Sequence, residues 1–447
     1  MKTVSPSAIG NSTSDRRRVV ITGQGWVTPL GAEIEGVWKK LLAGQCGISP
    51  TMLFDAGTFP TLFSSQVKDF WLTDYLPDAD ARHAGASRNT QFALAAAQMA
   101  WNSAGLDQAL ALDPTRVGIY LGGGEGPIDF EPFVAAAVGG WRSGEAGAAL
   151  DTVRWAELAL NGLDATREFE QDPNMAAGHL AVQFNAAGPN FNTLTACAAS
   201  TQAIGEATAL IRRGDADVII SGGTHSMIHP LGVTGFNRLT ALSTRNDTCL
   251  SASRPFDRTR DGFVLGEGAG MLILEDLEHA QARGANVLAE VVGYGSTADA
   301  FRITDIHEDG RGAIAAIRLA LTDAGMKPSA IDYISAHGTG TEENDKIETK
   351  AIRAVFGDHA KKVAISSVKS MLGHLIAAAG GVELITCVLA IRDQMLPPTI
   401  NYSSPDPNCD LDYVPNQSRP AKVDVCMSNS FGFGGQNDTL IIRRFSD

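Results

Sequence analysis

The sequence predicts a layered α/β protein assembled from two similar halves, and three observations carry that reading. First, one phrase occurs twice in the same order. A helix of about 91–104 meets Gly105 and leads into a strand at 117–121 and the glycines 122–124; a helix of about 313–324 meets Gly325 and leads into a strand at 331–336 and the loop His337-Gly338-Thr339-Gly340-Thr341. Repetition of helix, glycine cap, strand and glycine loop points to an internal duplication, with its boundary near Gly284. Second, short β-branched runs alternate with Ala/Gly-rich helical stretches, as in mostly parallel sheets covered by helices. Third, the 447 residues are 44% hydrophobic and 19% charged, a globular composition in a chain longer than one ordinary domain.

Taken in order, residues 1–17 read as a flexible tail, Ser/Thr/Asn/Gly-rich to Asp15 and without the apolar core of a secretory signal. The apolar run Val19-Val20-Ile21-Thr22 is a buried strand that ends at Gly23. The N-terminal half, 18–284, includes a less regular stretch at about 129–172 that reads as an insertion. The C-terminal half spans 285–447. Its longest apolar stretch, Met371 to Ile391, contains His374 and Glu383 and is therefore a buried helix, not a membrane span.

Thirty-six Lys+Arg against 50 Asp+Glu give a formal charge of -14, which repels nucleic acid and anionic membranes alike. No partner of either kind is expected. The six cysteines form no CxxC pair and no zinc-type cluster with histidine, so no metal is expected and a reducing cytoplasm fits best.

The chemistry gathers at predicted strand ends. Cys197 follows the strand-like Asn192-Thr193-Leu194-Thr195 and opens a small-residue helix, 198–213, stopped by Gly214. A thiol at a helix N-terminus gains from the macrodipole and from free N–H groups, which favour thiolate and can hold an oxyanion. A buried, inert cysteine among alanines is the alternative on local sequence. His337 stands between strand and glycine loop, while Lys369 and His374 bracket the turn from strand 363–368 into the following helix. Any one could be an ordinary hydrogen-bonded residue; together with Cys197 they mark the carboxyl ends of strands, where α/β folds collect their chemistry. The Ser428–Gly435 run is too glycine-rich for a regular strand and can bring main-chain N–H groups to a ligand, but it lacks the GxxxxGK[ST] phosphate pattern.

Four motifs in one order, Thr195-Ala196-Cys197, His337-Gly338-Thr339-Gly340-Thr341, Val368-Lys369-Ser370-Met371-Leu372-Gly373-His374 and Asn429-Ser430-Phe431-Gly432-Phe433-Gly434-Gly435, resemble the elongating β-ketoacyl-acyl-carrier-protein synthases of the thiolase superfamily. Arg254-Pro255-Phe256-Asp257 and Asp261 to Gly268 extend the likeness over nearly the whole chain from Val19. The Cys/His/His set resembles the elongating branch, the initiating branch having Cys/His/Asn. The resemblance implies a thiolase-like α-β-α-β-α fold, Cys197 as acyl acceptor, an oxyanion hole from the N–H groups of Cys197 and Phe433, and His337 and His374 as donors to the malonyl thioester. It also implies Lys369 and Glu348 as a supporting pair and Thr339 and Thr341 as pantetheine contacts. Phe433 becomes a gate and Glu125 part of the acyl pocket. The implied partners are acyl carrier protein and a second copy of the chain, paired through about 191–195; no cofactor is implied.

Departures from the pattern accompany these matches. Asp299-Ala300-Phe301-Arg302 and 305–309 differ from the usual second-substrate entrance, Glu125 replaces an apolar residue, and Thr240 stands where a carrier-docking arginine is common. Arg82, Arg88, Arg212, Arg213 and Arg238 are the cationic candidates for docking an acidic carrier. Fatty acid elongation and type II polyketide or other secondary-metabolite condensation both fit this pattern. A non-catalytic chain-length-factor-like subunit is disfavoured by the presence of Cys197. A degradative thiolase is disfavoured because Cys426 precedes the C-terminal glycine loop instead of lying in it.

Overall fold

The computed structural model describes residues 16–108, 112–124, 126, 128–144, 147–302 and 306–446. Met1 to Asp15, Glu125 and Asp305, each given a part in the expectations above, lie outside the described residues. Arg16 and Arg17, assigned above to the tail, are already engaged, with ion pairs to Asp323 and Asp217.

Ten strands form one twisted sheet: β1 Val19–Val27, β2 Val117–Gly122, β3 Asn190–Thr193, β4 Val218–His225, β5 Gly268–Asp276, β6 Ala289–Ala298, β7 Tyr333–Ser335, β8 Ala364–Ser366, β9 Val425–Phe431 and β10 Gln436–Arg443. Their order is β8-β7-β9-β10-β6-β1-β5-β4-β2-β3. Read outward from the centre, each half has its strands in the sequence first, fifth, fourth, second, third. The halves meet where β1 and β6 pair antiparallel, Val19 opposite Val291 and Ile21 opposite Ala289. The expectation of a mostly parallel sheet is corrected. In each half two pairings are parallel, β2 with β3 and β4, β7 with β8 and β9. The fifth strand of each half returns antiparallel on both sides, so the first and fifth strands are not joined by parallel crossovers.

Glycine decides two details. β1 does not stop at Gly23 but bulges there and continues to Val27. A Cβ on Gly23 would stand 2.1 Å from the Ala100 carbonyl, so the bare position lets helix α1 (Arg88–Ser103) lie directly on the strand. At the end of β2 a Cβ on Gly122 would stand 2.4 Å from Ser200 N, which brings helix α2 (Ala199–Arg213) equally close.

Six helices locate the site: α1, α2, α3 (Pro230–Arg238), α4 (Arg311–Ala324), α5 (Glu342–Phe356) and α6 (Ala379–Asp393). α1 covers β1 and β5 from outside, and α4 covers β6 and β10. α2 and α6 lie in the middle, touching strands of both halves of the sheet and each other, so that helix, one half of the sheet, central helices, the other half of the sheet and helix make five layers. Burial follows from this placement: α6 is buried at every residue from Ala379 to Ile391. Among the described residues no helix is long and apolar enough to cross a membrane. The stretch at 129–172 is more regular than expected, with helices Phe130–Gly140, Thr152–Gly162 and Ala165–Phe169 and a hairpin of Trp141–Gly144 with Gly147–Leu150.

Candidate active site

The duplication places two central helix starts side by side. Each is a short 3-10 turn, Ala196–Ala198 before α2 and Ile376–Ala378 before α6. Each opens on a residue with positive φ, Ala196 at 47° and Ile376 at 44°. This left-handed step is costly for a residue with a Cβ and makes a sharp elbow. Cys197 sits in the first elbow, and His374 lies two residues before the second.

Across this junction His374 Nε2 lies 2.9 Å from Cys197 Sγ. The main-chain N–H of Ile376 donates to His374 Nδ1 over 3.3 Å, so the neutral ring carries its proton on Nε2, facing the sulfur. The backbone of His374 is clamped as well: its N–H donates to Val264 O over 2.7 Å and its carbonyl accepts from Gly266 N over 2.9 Å. This explains the 261–268 run, which also sets Phe263 edge-on against the imidazole at 5.2 Å.

His337 follows β7 and faces His374 at a ring separation of 5.4 Å, and one ligand atom each of Cys197, His337 and His374 fall within 4.8 Å of one another. That spacing could clasp a metal ion, but the His374 tautomer presents an N–H to the sulfur, not a lone pair. Burial first, then the Lys369 ammonium, holds both imidazoles well below their ordinary range, so they are neutral donors at physiological pH. His337 is held through its backbone: its N–H donates to Glu348 Oε1 over 2.9 Å, and that of Gly338 to Oε2 over 2.8 Å. Burial pushes Glu348 up to about 7 despite these bonds.

Lys369 forms a buried ion pair with Glu383, one turn into α6. The expectation that Lys369 and Glu348 act as a pair is therefore corrected. Glu348 serves the His337 loop, and Glu383 is the carboxylate beside Lys369. Sequence reasoning missed Glu383, although a lone carboxylate in a buried helix needs a cation and Lys369 was at hand.

The Cys197 thiol is pushed up to about 12 by burial, against the Lys369 ammonium and the main-chain N–H groups of Phe433 and Cys197. The thiolate preference expected from the helix end is outweighed by desolvation in the resting site. Both N–H groups bear on the sulfur, Phe433 being carried on a turn with Gly434 and Gly435 at φ 89° and 80°. A cavity of about 290 Å³ leads to this point, bordered by Cys197, both histidines, Phe433, Thr339 and Thr341. The two threonine hydroxyls lie 3.0 Å apart.

The arginine candidates separate. Arg88 is spent on Glu267 and the Val67 carbonyl, and Arg212 on Asp323 and the carbonyls of Val291 and Val292. Arg82 and Arg213 are exposed and do not border the cavity, contacting Gln183 and Asp215. Arg238 is exposed at the end of α3, beside Leu239 and Thr240 of the cavity rim.

Fold and site together define a thiolase-type layered α/β protein with a buried Cys-His-His centre. Comparison with known proteins agrees. The description "Beta-ketoacyl synthase, N-terminal domain" matches residues 16–280, and "Beta-ketoacyl synthase, C-terminal domain" matches 288–403. The chain belongs to the beta-ketoacyl synthase family. It is similar to the 3-oxoacyl-[acyl-carrier-protein] synthase 2 of Coxiella burnetii, 42% identical over 97% of this chain and 100% of that protein, and to that of Synechocystis sp., 45% identical over 96% and 99%. Among solved structures, a beta-ketoacyl synthase from Burkholderia phymatum superposes with a TM-score of 0.84 at 31% identity, over 96% of this chain and 100% of that one. A ketosynthase complex with its type II polyketide acyl-carrier protein, bound to the hexaketide, gives 0.83 at 34% identity, with the same coverage.

Proposed function

We propose that the protein is an elongating 3-oxoacyl-acyl-carrier-protein synthase of fatty acid biosynthesis, which joins an acyl group on Cys197 to malonyl-acyl carrier protein. The observation that carries this reading is the Cys197–His374 contact of 2.9 Å, with His337 alongside in the same cavity. The 3-oxoacyl synthase relatives, more than 40% identical over nearly their whole length, support it.

Cys197 attacks the acyl-carrier thioester; the acyl carbon–sulfur bond to the carrier breaks, and the pantetheine thiol leaves with the proton. The N–H groups of Cys197 and Phe433 hold the tetrahedral oxyanion. Malonyl-carrier protein then enters with its thioester carbonyl against the ring N–H of His337 and the Nε2–H of His374. Its carboxylate leaves as CO2, and the electron pair released forms an enolate that two neutral donors stabilise without protonating carbon. The enolate carbon attacks the acyl-Cys197 carbonyl, and collapse expels the Cys197 thiolate, leaving a 3-oxoacyl chain two carbons longer on the carrier's pantetheine arm.

Lys369, paired with Glu383, sets the field at both imidazoles, and Glu348 positions the His337 loop. Thr339 and Thr341 line the path for the pantetheine arm, and Phe433 serves as the gate of the acyl pocket. The halves 18–284 and 285–447 act as one unit, because the nucleophile comes from the first and both histidines from the second. The substrates arrive on the carrier's phosphopantetheine arm, and the enzyme needs no cofactor or metal of its own. We place it in the cytoplasm as a homodimer paired through the edge strand β3, where Phe191 is exposed. Arg238 is the carrier contact we favour. A condensing role in a type II polyketide pathway is the second reading, supported by the polyketide ketosynthase that shares the fold at 34% identity.

The test is intact mass of the protein after incubation with acyl-carrier protein, followed by CO2 release from malonyl-carrier protein. An acyl adduct on Cys197 and CO2 evolution lost in His337→Ala are expected. A folded protein that takes no acyl group overturns the assignment.

A further inference from the structure

Beside the cavity of about 290 Å³ that borders Cys197 lies a second one of about 320 Å³. Its wall is mostly apolar and includes Leu194, Ala196, Phe236 and Ile376. Ala196 precedes Cys197 in the chain, and Phe236 and Ile376 pack in the same apolar cluster as the thiol. An acyl group on Cys197 shares the first cavity with the incoming malonyl-pantetheine, so a chain of more than a few carbons needs the second. Among the described residues, two border both spaces: Phe433, from the C-terminal half, and Leu239, from the N-terminal half.

Leu239 follows α3 directly and is 49% exposed, so its side chain is not locked by core packing and can change rotamer. The residue after it is strained: Thr240 has φ 54°, a left-handed value that a β-branched side chain rarely takes. Three hydrogen bonds hold this turn. The N–H groups of Thr240 and Ala241 donate to Asn237 O over 3.0 Å and to Phe236 O over 3.2 Å, and the Thr240 hydroxyl donates to Leu239 O over 2.7 Å. The left-handed step ends the helical path just after Leu239 and carries the chain along the first cavity, which Thr240 and Ala241 also border. Backbone strain maintained in this way at the edge of a reactive cavity fixes a position, and the position it fixes here is that of Leu239 between the two spaces.

We propose that Leu239 is a specificity-determining residue for acyl transfer, forming with Phe433 a two-sided partition in which the bulk of the leucine sets how long a chain reaches the second cavity. The inference rests on the acyl-transfer reading above and narrows its substrate class. A smaller side chain at 239 widens the passage and a larger one closes it. A leucine with a merely structural role would behave otherwise, since shortening and enlarging it would both disturb the turn and slow short and long chains together.

The test is loading of the full-length protein with butanoyl, octanoyl and dodecanoyl groups on one carrier protein, scored as the rate of the Cys197 adduct by intact mass. Relative to wild type, Leu239→Ala should raise the ratio of dodecanoyl to butanoyl loading about tenfold, and Leu239→Trp should lower it about as much, with octanoyl between. If either variant does not fold, Leu239→Val and Leu239→Phe should move the ratio in the same two directions by smaller steps. A ratio that stays at the wild-type value, or that moves the same way in the smaller and the larger variant, overturns the inference alone. A folded wild type that accepts no chain of any length overturns the acyl-transfer reading and the inference with it.

Discussion

Glu348 holds His337 by its main chain and not by its ring: the His337 N–H donates to Glu348 Oε1 over 2.9 Å while the imidazole stays free to face the cavity. Helix α5 thereby positions His337 without competing for its ring nitrogens. Burial raises the Glu348 carboxyl to about 7, above its unfolded value near 4.5. A group raised in this way stabilises the fold fully below the unfolded value and loses that contribution as pH rises through about 7. Glu348→Gln, which cannot ionise, should therefore gain on wild type in thermal stability between pH 5 and pH 8, by up to about 3 kcal/mol. A pH-independent difference in Tm would contradict the assignment.

The two histidines should differ. His374 touches the sulfur and His337 does not share that contact, so His337→Ala should lose malonyl decarboxylation by about 100-fold or more while keeping most self-acylation. His374→Ala should slow both half-reactions, decarboxylation more. Single-turnover acylation measured beside CO2 release separates them, and equal losses of both half-reactions in His337→Ala would refute the division.

With its thiol raised to about 12, Cys197 should react slowly with iodoacetamide at pH 7, and about tenfold faster with each pH unit up to pH 9. Peptide mapping distinguishes it from Cys46 and Cys249, which are more exposed. A rate that is already at its plateau at pH 7 would mean a stabilised thiolate in the resting enzyme.

Lys369→Met removes the cation that lowers the thiol and both imidazoles. Cys197 alkylation should slow at every pH, and the histidine titrations, followed by NMR, should move up toward their ordinary range. The variant also leaves Glu383 buried beside an apolar chain, so stability should fall by about 3 kcal/mol or more. Lys369→Met with Glu383→Leu should recover much of that stability without recovering the histidine titrations.

Thr339 and Thr341 border the cavity that leads to Cys197. Thr339→Val with Thr341→Val should raise KM for carrier-borne substrate several-fold and leave kcat nearly unchanged. A fall in kcat alone would place the hydroxyls in the chemistry instead.

By itself the sequence determined the repeated order of helix, glycine, strand and loop, the helix that begins at Cys197, and the presence of His337, Lys369 and His374 at strand ends, because period, capping and turn chemistry act over a few residues. Only the tertiary structure decided which of these residues meet. Cys197 and His374 are 177 positions apart and come together because two halves with one strand order stack their central helices start to start. The partner of Lys369 was decided the same way, since Glu383 projects from a helix whose complete burial no local pattern reveals. The direction of the fifth strand in each half also lay beyond local reading. Strand pairing is a long-range choice, and apolar runs look alike whether their neighbour runs parallel or antiparallel.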